Sequence, residues 1–406
     1  SGPLDEAKFL AAAEASLNAQ EAFRLRFATD GSLQTSDAAA VLRVDRLDLS
    51  MLDPARQAED LNNLRELGAR EPFDLARGPM VRARIVKLDD AQHLFLIYAH
   101  HIVFDGYSAE LLIKDIAARY ASAAGAEIEP YSAYVAKSTA SLDRRAAQTY
   151  WRELLDAPPP PLDLPTDRPY PARRRFEGST ARGRIPTEVA AAVKSAGRTA
   201  GVGAFAMFLS AYAALMARLT GQEDFIVGVP AAGQANLGVE TVGYCVNMLP
   251  MRMKPALSHP FIDFARATQQ GLIEAMEHQD LSLSDLARDL KSPRDLSRPA
   301  LIQNVFNYSA YFDDIKFGAC TARASENRRA AVHHELFANL TESEAGLAAD
   351  WDFSTAIFDE ATIESWIVHL SALLADIALR PTAPIGQLSL MSKEARDAVV
   401  VSMRRG

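Results

Sequence analysis

Cysteine is almost missing from this chain of 406 residues, which carries only Cys245 and Cys320. Two thiols build no disulfide framework, and such sparse usage points to a reducing, cytoplasmic setting in which both are buried or incidental. Long apolar runs are missing as well: no stretch approaches the ~18 consecutive apolar residues that a membrane span requires. The N-terminus shows no charged-then-apolar signal pattern, and its Ser1-Gly2-Pro3 reads as a cloning scar, so the natural protein is expected to extend upstream. Positive charge is the minority, 43 Lys and Arg against 52 Asp and Glu, for a net charge of −9. A dedicated nucleic-acid binder would carry the opposite balance. An acidic surface instead favours solubility and repels or orients acidic partners.

What is present is enough for a large core. Hydrophobic residues make up 49% and charged residues 23% of the chain, as in a globular protein. The length exceeds one ordinary core, so two domains of about 150–200 residues are expected. The run Ala157-Pro158-Pro159-Pro160-Pro161-Leu162-Asp163-Leu164-Pro165, with Pro169 and Pro171 beyond it, favours extended polyproline II and suits a linker. The division is therefore 1–157, a linker at 158–172, a second lobe at 173–395 and the start of a further linker at 396–406.

Strand and helix patterns mix through both halves, so each is expected to be a helix-covered mixed sheet, an α/β architecture. Strands are predicted at Phe23 to Phe27, Val41 to Leu47, Val81 to Leu88 and His93 to Tyr98, the last two as a hairpin. Arg24 and Arg26 alternate along the first, on a face that is either solvated or functional. In the second half, strands are predicted at Thr180 to Ile185, Asp224 to Pro230, Val242 to Arg252, Ile302 to Tyr308, Val332 to Leu340 and Leu347 to Phe353. Helices are expected from Leu4, over Pro54 to Glu71, after Ala109, over Leu142 to Asp156, from Thr187, and over Phe261 to His278 and Thr362 to Leu379. Ala204 to Leu219 is apolar nearly all round and should be buried.

The stretch richest in chemistry is Ala99-His100-His101-Ile102-Val103-Phe104-Asp105-Gly106-Tyr107-Ser108. It joins an aromatic-rich strand to an amphipathic helix, where a scaffold can hold an exposed side chain in place. Imidazole suits proton handling near neutral pH. His100 reads as a core residue bonded to backbone. His101, at the strand end and followed by an acid and a glycine, reads as functional, and Gly106 would permit a φ > 0 turn. Asn247, inside an apolar run, must be hydrogen-bonded, either as a structural bridge or toward a substrate.

In order along the chain, several stretches resemble the condensation domains of nonribosomal peptide synthetases. His100-His101-x-x-x-Asp105-Gly106 is similar to that family's signature. Phe23-Arg24-Leu25-Arg26-Phe27 resembles its Leu-Arg-Thr-x-Phe element, although Ala19-Gln20 stands where the family has Arg-His. Tyr131-Ser132-Ala133-Tyr134, Tyr150-Trp151 and Leu162-x-Leu164-Pro165-x-Asp167-Arg168-Pro169 resemble the segment leaving the first half. Gly243-Tyr244-Cys245-Val246-Asn247 is similar to its Gly-x-Phe-Val-Asn strand, and His278-Gln279-Asp280 and Arg294-Asp295-x-Ser297-Arg298 to two later elements. Ile385 to Ser392 resembles the exit toward a next module. The family's first strand, upstream of Leu4-Asp5, has no counterpart.

The resemblance implies two chloramphenicol-acetyltransferase-like lobes in a V, a pseudo-dimer with the histidine loop midway along a central tunnel. It implies acyl transfer from a thioester on an upstream carrier domain to an amine on a downstream one. Both substrates hang from phosphopantetheine arms, with no cofactor or metal held by the domain itself and with neighbouring modules, of a synthetase or of a hybrid with a polyketide synthase, as partners. His101 would take or hold a proton, Gly106 would approach the reacting carbonyl, and Asn247, Tyr107 and Ser108 would line the substrate path. Asp105 reads as structural, needing a cationic partner because an unpaired buried charge is very costly. Arg24 is the first choice for that partner, with Arg182 and Arg184 as alternatives.

Rival readings are weaker. A metal site at His101 and Asp105 or at His333-His334-Glu335 lacks paired His-x-x-x-His or cysteine spacing. Epimerisation would need an acid or a histidine in the place of Val229-Pro230-Ala231-Ala232-Gly233-Gln234. Heterocyclisation would replace the histidines by aspartates. A non-catalytic recruitment domain would show a degraded motif, whereas an ester-forming acyltransferase of the same superfamily would look alike.

Overall fold

The computed structural model describes residues 1–37, 39–122, 124–141, 144–290, 295–310, 315–325, 327, 329–343 and 346–392. Arg294 and the expected outgoing linker at 396–406 lie outside these residues. The chain forms two compact units: Ser1–Leu142 with Ala232–Val246 and Phe312–Arg328, and Asp143–Ala231 with Asn247–Tyr311 and Arg329–Gly406. The expected lobes were continuous in sequence, whereas these units are not. Two later stretches pack with the N-terminal one, and the helix Arg144–Leu154 and the proline-rich segment belong to the other unit.

The first unit is built on a three-stranded mixed sheet. Val44–Asp48 runs parallel to Val81–Lys87, which pairs antiparallel with His93–Ala99 in the predicted hairpin, Lys87 opposite His93. Helix Glu6–Ala19, capped by Asp5, buries Phe9, Ala12, Ala13 and Leu17. It packs against helix Gly106–Tyr120. Buried between them, the Ser16 hydroxyl donates to Asp115 Oδ2 at 2.6 Å, and Arg119 Nε donates to the same oxygen at 2.8 Å. Phe9 meets Phe95 and Phe317 edge-on, with centroids at 5.0 and 5.2 Å. Helix Pro54–Arg70 has no fully buried residue and only leans Leu61 and Leu64 on the sheet's other face, as its charge predicted.

The second unit holds a six-stranded mixed sheet. Its order is Gly178–Ile185, Gly346–Ser354, Leu336–Ser343, Asn304–Ala310, Phe225–Ala232, Val246–Met253. The first three strands pair antiparallel, and Leu336–Ser343, Asn304–Ala310 and Phe225–Ala232 run parallel to one another. Helix Ala204–Thr220 buries every residue from Ala206 to Ala217 and stops at Gly221, whose φ of 74° suits glycine. Helix Glu360–Leu379 is the one described helix long and apolar enough to cross a membrane. It buries Ile363, Trp366, Ile367, Leu370, Leu373, Leu374 and Ile377, packed on the helix Thr187–Ala200 and the sheet edge, as a core helix does.

The proline-rich segment is fastened rather than free. Leu162 and Leu164 are buried in the second unit's core. Arg298 donates from Nε and Nη2 to the two Glu335 oxygens at 2.8 and 3.1 Å and from Nη2 to Leu162 O at 2.6 Å, while the Tyr170 hydroxyl donates to Glu335 Oε2 at 3.0 Å. Burial pushes the Glu335 carboxyl up, against the opposing pull of Arg298. Beside it, His334 Nδ1 bonds Ile302 O at 3.3 Å, and enclosure holds its imidazole down to about 4. His334 and Glu335 of the rejected His333-His334-Glu335 cluster thus have protein partners. Because unfolded His334 takes up a proton near 6.5 and the folded one only near 4, stability falls as pH drops across that window. Urea unfolding at a series of pH values should show this loss, and His334→Gln should flatten it.

Some elements depart from expectation. Phe23–Phe27 is a 3-10 turn at Ala22–Arg24 followed by the short strand Leu25–Phe27, paired with Gln34–Ser36, so Arg24 sits on a turn. Gly243 to Cys245 do not join the strand that follows. Helices Tyr131–Ser141, Gly233–Leu237 and Leu283–Asp289 and the hairpin of Ile315–Phe317 with Cys320–Ala322 were not foreseen. Each is short or weakly patterned.

Candidate active site

The His93–Ala99 strand ends on His100, whose backbone N–H donates to Met80 O at 2.9 Å. The His100 side chain caps the 3-10 turn His101–Val103, Nδ1 accepting from Ile102 N–H at 3.1 Å. Val103 is fully buried, and Phe104 packs on Phe23 at 5.7 Å. The turn is therefore pinned on both sides of His101, whose own side chain is exposed.

His101 Nδ1 lies 2.7 Å from Phe104 O. A carbonyl oxygen only accepts, so Nδ1 carries the proton of the neutral ring, and Nε2 is left with its lone pair. On the other side the Tyr244 ring meets the imidazole edge-to-face, with centroids 5.4 Å apart and planes at 82°.

Asp105 caps the helix Gly106–Tyr120 and is 5% exposed. Oδ1 accepts from Ser108 N–H at 2.8 Å and from the Ser108 hydroxyl at 2.7 Å. Oδ2 accepts from Cys245 N–H at 2.9 Å and Gln234 Nε2 at 3.1 Å. These neutral donors, with the helix N-terminus behind them, take the place of the expected arginine. Arg24 instead donates to Asn18 O. Arg182 lies beside Asp350 at 3.3 Å, and Arg184 stands opposite Ala348 in the sheet of the other unit. The buried carboxylate dispenses with a cation here because four hydrogen bonds and a helix N-terminus use its acceptor sites.

Other expectations shift. Gly106 is not among the residues with positive φ; it is the first residue of its helix, and a Cβ there would meet nothing within 4 Å. The N–H at that position has no partner inside its own helix. Ser108 is fully buried. Its Oγ accepts from Gly243 N–H at 3.0 Å and lies 2.8 Å from Gly243 O, so it stitches the loop rather than facing a substrate. The Tyr107 hydroxyl donates to Glu240 Oε1 at 3.0 Å. Burial, then Glu240, raises its pKa. Asn247, in the second unit, spends Nδ2 on Gln279 O and Leu281 O at 2.6 and 2.8 Å, while Oδ1 accepts from Met248 N–H. With its amide so used, it clamps backbone. Asn247→Ala should cost about 1–3 kcal/mol in urea unfolding, with turnover per folded molecule retained.

The residues that sequence reasoning missed come from Ala232–Val246. Gln234, fully buried, and Cys245 hold Asp105. Tyr131 and Tyr134 donate to Tyr244 O and Cys245 O at 2.9 and 3.4 Å. Burial drives the Cys245 thiol far up, so it is no nucleophile. A polar Gln234 in a Gly- and Pro-rich loop was the available signal.

The family model for the condensation domain matches residues 1–400. The chain belongs to the condensation-domain family. It is 30% identical over 416 residues to tyrocidine synthase 3 of Brevibacillus parabrevis, covering 99% of this chain and 6% of that one. It is also 29% identical over 345 residues to bacitracin synthase 1 of Bacillus licheniformis, covering 82% and 6%. This condensation domain thus spans a small part of the curated relatives it matches. Among solved structures, the four-domain nonribosomal peptide synthetase holo-AB3403, bound to AMP and glycine, superposes with a TM-score of 0.84 at 18% identity, over 96% of this chain and 31% of that one. At that identity the likeness shows the fold, the chloramphenicol-acetyltransferase-like α/β fold with mixed sheets that the resemblance implied. Condensation domains of nonribosomal peptide synthetases are acyltransferases, and amide-bond formation is their general reaction.

Proposed function

We propose that this condensation domain moves an acyl or peptidyl group from a thioester on an upstream carrier domain to the amine of an acceptor on a downstream carrier domain. Both substrates arrive on phosphopantetheine arms; the domain's own contribution is made by side chains and backbone. The observation that carries this reading is the Nδ1–H donation of His101 to Phe104 O, which presents Nε2 as an acceptor on an exposed ring.

The amine nitrogen attacks the thioester carbon while Nε2 accepts its proton. Collapse of the tetrahedral intermediate breaks the C–S bond, and the proton passes to the departing thiolate. The Gly106 N–H, unused within its helix, donates in this proposal to the oxygen that gains charge. Because a thioester is already activated, holding the two reactants in line supplies much of the rate.

The test supplies both carriers, loaded, and follows the product by mass spectrometry, with amine and hydroxyl acceptors in parallel. An amide product supports the proposal. An ester alone would assign the domain to hydroxyl acceptors, an inverted α-carbon alone to epimerisation, and binding without turnover to recruitment.

A further inference from the structure

Resting on that reading of His101, we infer that Tyr244 is a positioning residue that sets the plane of the His101 imidazole. One hydrogen bond, Nδ1 to Phe104 O, fixes one atom of the ring and leaves it free to swing about that bond. A second contact is needed to fix its plane, and the edge-to-face Tyr244 ring at 5.4 Å supplies it.

The backbone around Tyr244 is tied from several directions. Gly243 N–H donates to the Ser108 hydroxyl oxygen at 3.0 Å. Tyr244 C=O accepts from Tyr131, and Cys245 N–H donates to Asp105. Cys245 C=O accepts from Gly233 N–H at 3.1 Å. A Cβ on Gly243 would fall 2.1 Å from the Tyr131 ring, so the tripeptide is seated against its neighbours with no space left. Yet the side chain that all this bracing presents is 44% exposed. A ring so open contributes little to a core. Its aromatic neighbour is the histidine.

The same carboxylate serves both partners. Asp105 starts the helix that closes the His101 turn and holds Cys245 next to Tyr244. Histidine and tyrosine are therefore referenced to one buried group, which keeps their separation fixed.

The test compares wild type, Tyr244→Leu, Tyr244→Phe and His101→Ala on loaded carriers, with imidazole ¹⁵N–¹H spectra in which the His101 signal is the one lost in His101→Ala. Tyr244→Leu should lower kcat about tenfold, the scale of an aromatic pair, leave KM within about twofold, and shift His101 away from the Nδ1–H tautomer. Tyr244→Phe, which keeps the ring, should recover most of the lost turnover and the tautomer. If Tyr244→Leu keeps wild-type kcat and tautomer, or changes only KM, the positioning role is wrong even while His101→Ala is inactive. If His101→Ala itself keeps full turnover, the underlying reading of His101 fails first. Should the leucine variant not fold, Tyr244→Met carries the same comparison.

Discussion

Replacing His101 by alanine should slow product formation by about 10²–10⁴-fold, the usual worth of a positioned acid-base group. The fold should scarcely notice. His101 is exposed, and the substitution removes one hydrogen bond, to Phe104 O, worth about 1 kcal/mol. Its neighbours have their own anchors: His100 is held by Met80 and Ile102, and Val103 by the core. A large kinetic loss beside a small shift in the urea midpoint therefore separates chemistry from architecture. Measured on loaded carriers, an undiminished rate would remove His101 from the reaction.

Asp105→Ala should do the reverse, damaging both. It strips the partner from Ser108 N–H, Cys245 N–H and the Gln234 amide at once. Each buried donor left unpaired costs about 1–3 kcal/mol, so a total of about 3 kcal/mol or more is expected. Turnover should fall about a hundredfold even under conditions where the variant remains folded, because the His101 turn and the Tyr244 segment lose their common reference. Asp105→Asn should fall between the two. It keeps one oxygen for Ser108 but turns an NH₂ group toward the N–H of Cys245. Urea unfolding and turnover on the same preparation check both variants, and a wild-type stability for Asp105→Ala would refute the four-donor account.

The parts of the molecule that were legible in the sequence are those governed by local rules. The hairpin of Val81–Lys87 with His93–Ala99, the all-round apolar helix Ala204–Thr220 and the histidine loop each announce themselves through period, caps or motif. What was not legible depends on distance. Nothing near Asp105 in sequence indicates that its partners stand at Gln234 and Cys245, and the rule that buried charge seeks charge pointed to Arg24 instead. Asn247 was drawn toward substrate by its place in a motif, whereas its three hydrogen bonds are all to backbone. Ser108, adjacent to the motif, is used in the same structural way. Short helices such as Gly233–Leu237 carry too few residues for periodicity to mark them.

The return of Ala232–Val246 to the first unit has a consequence for how the protein is made. The bond from Cys245 to Asp105 closes a separation of 140 residues, so during synthesis the histidine loop waits for the second unit's first stretch, Asp143–Ala231, to emerge before its brace exists. A fragment cut at the proline-rich segment would contain His100, His101 and Asp105 but neither Gln234 nor Tyr244. Two of the four donors to the carboxylate would be missing from it. The reactive loop is thus completed only once the chain has grown past Cys245, well over half its length.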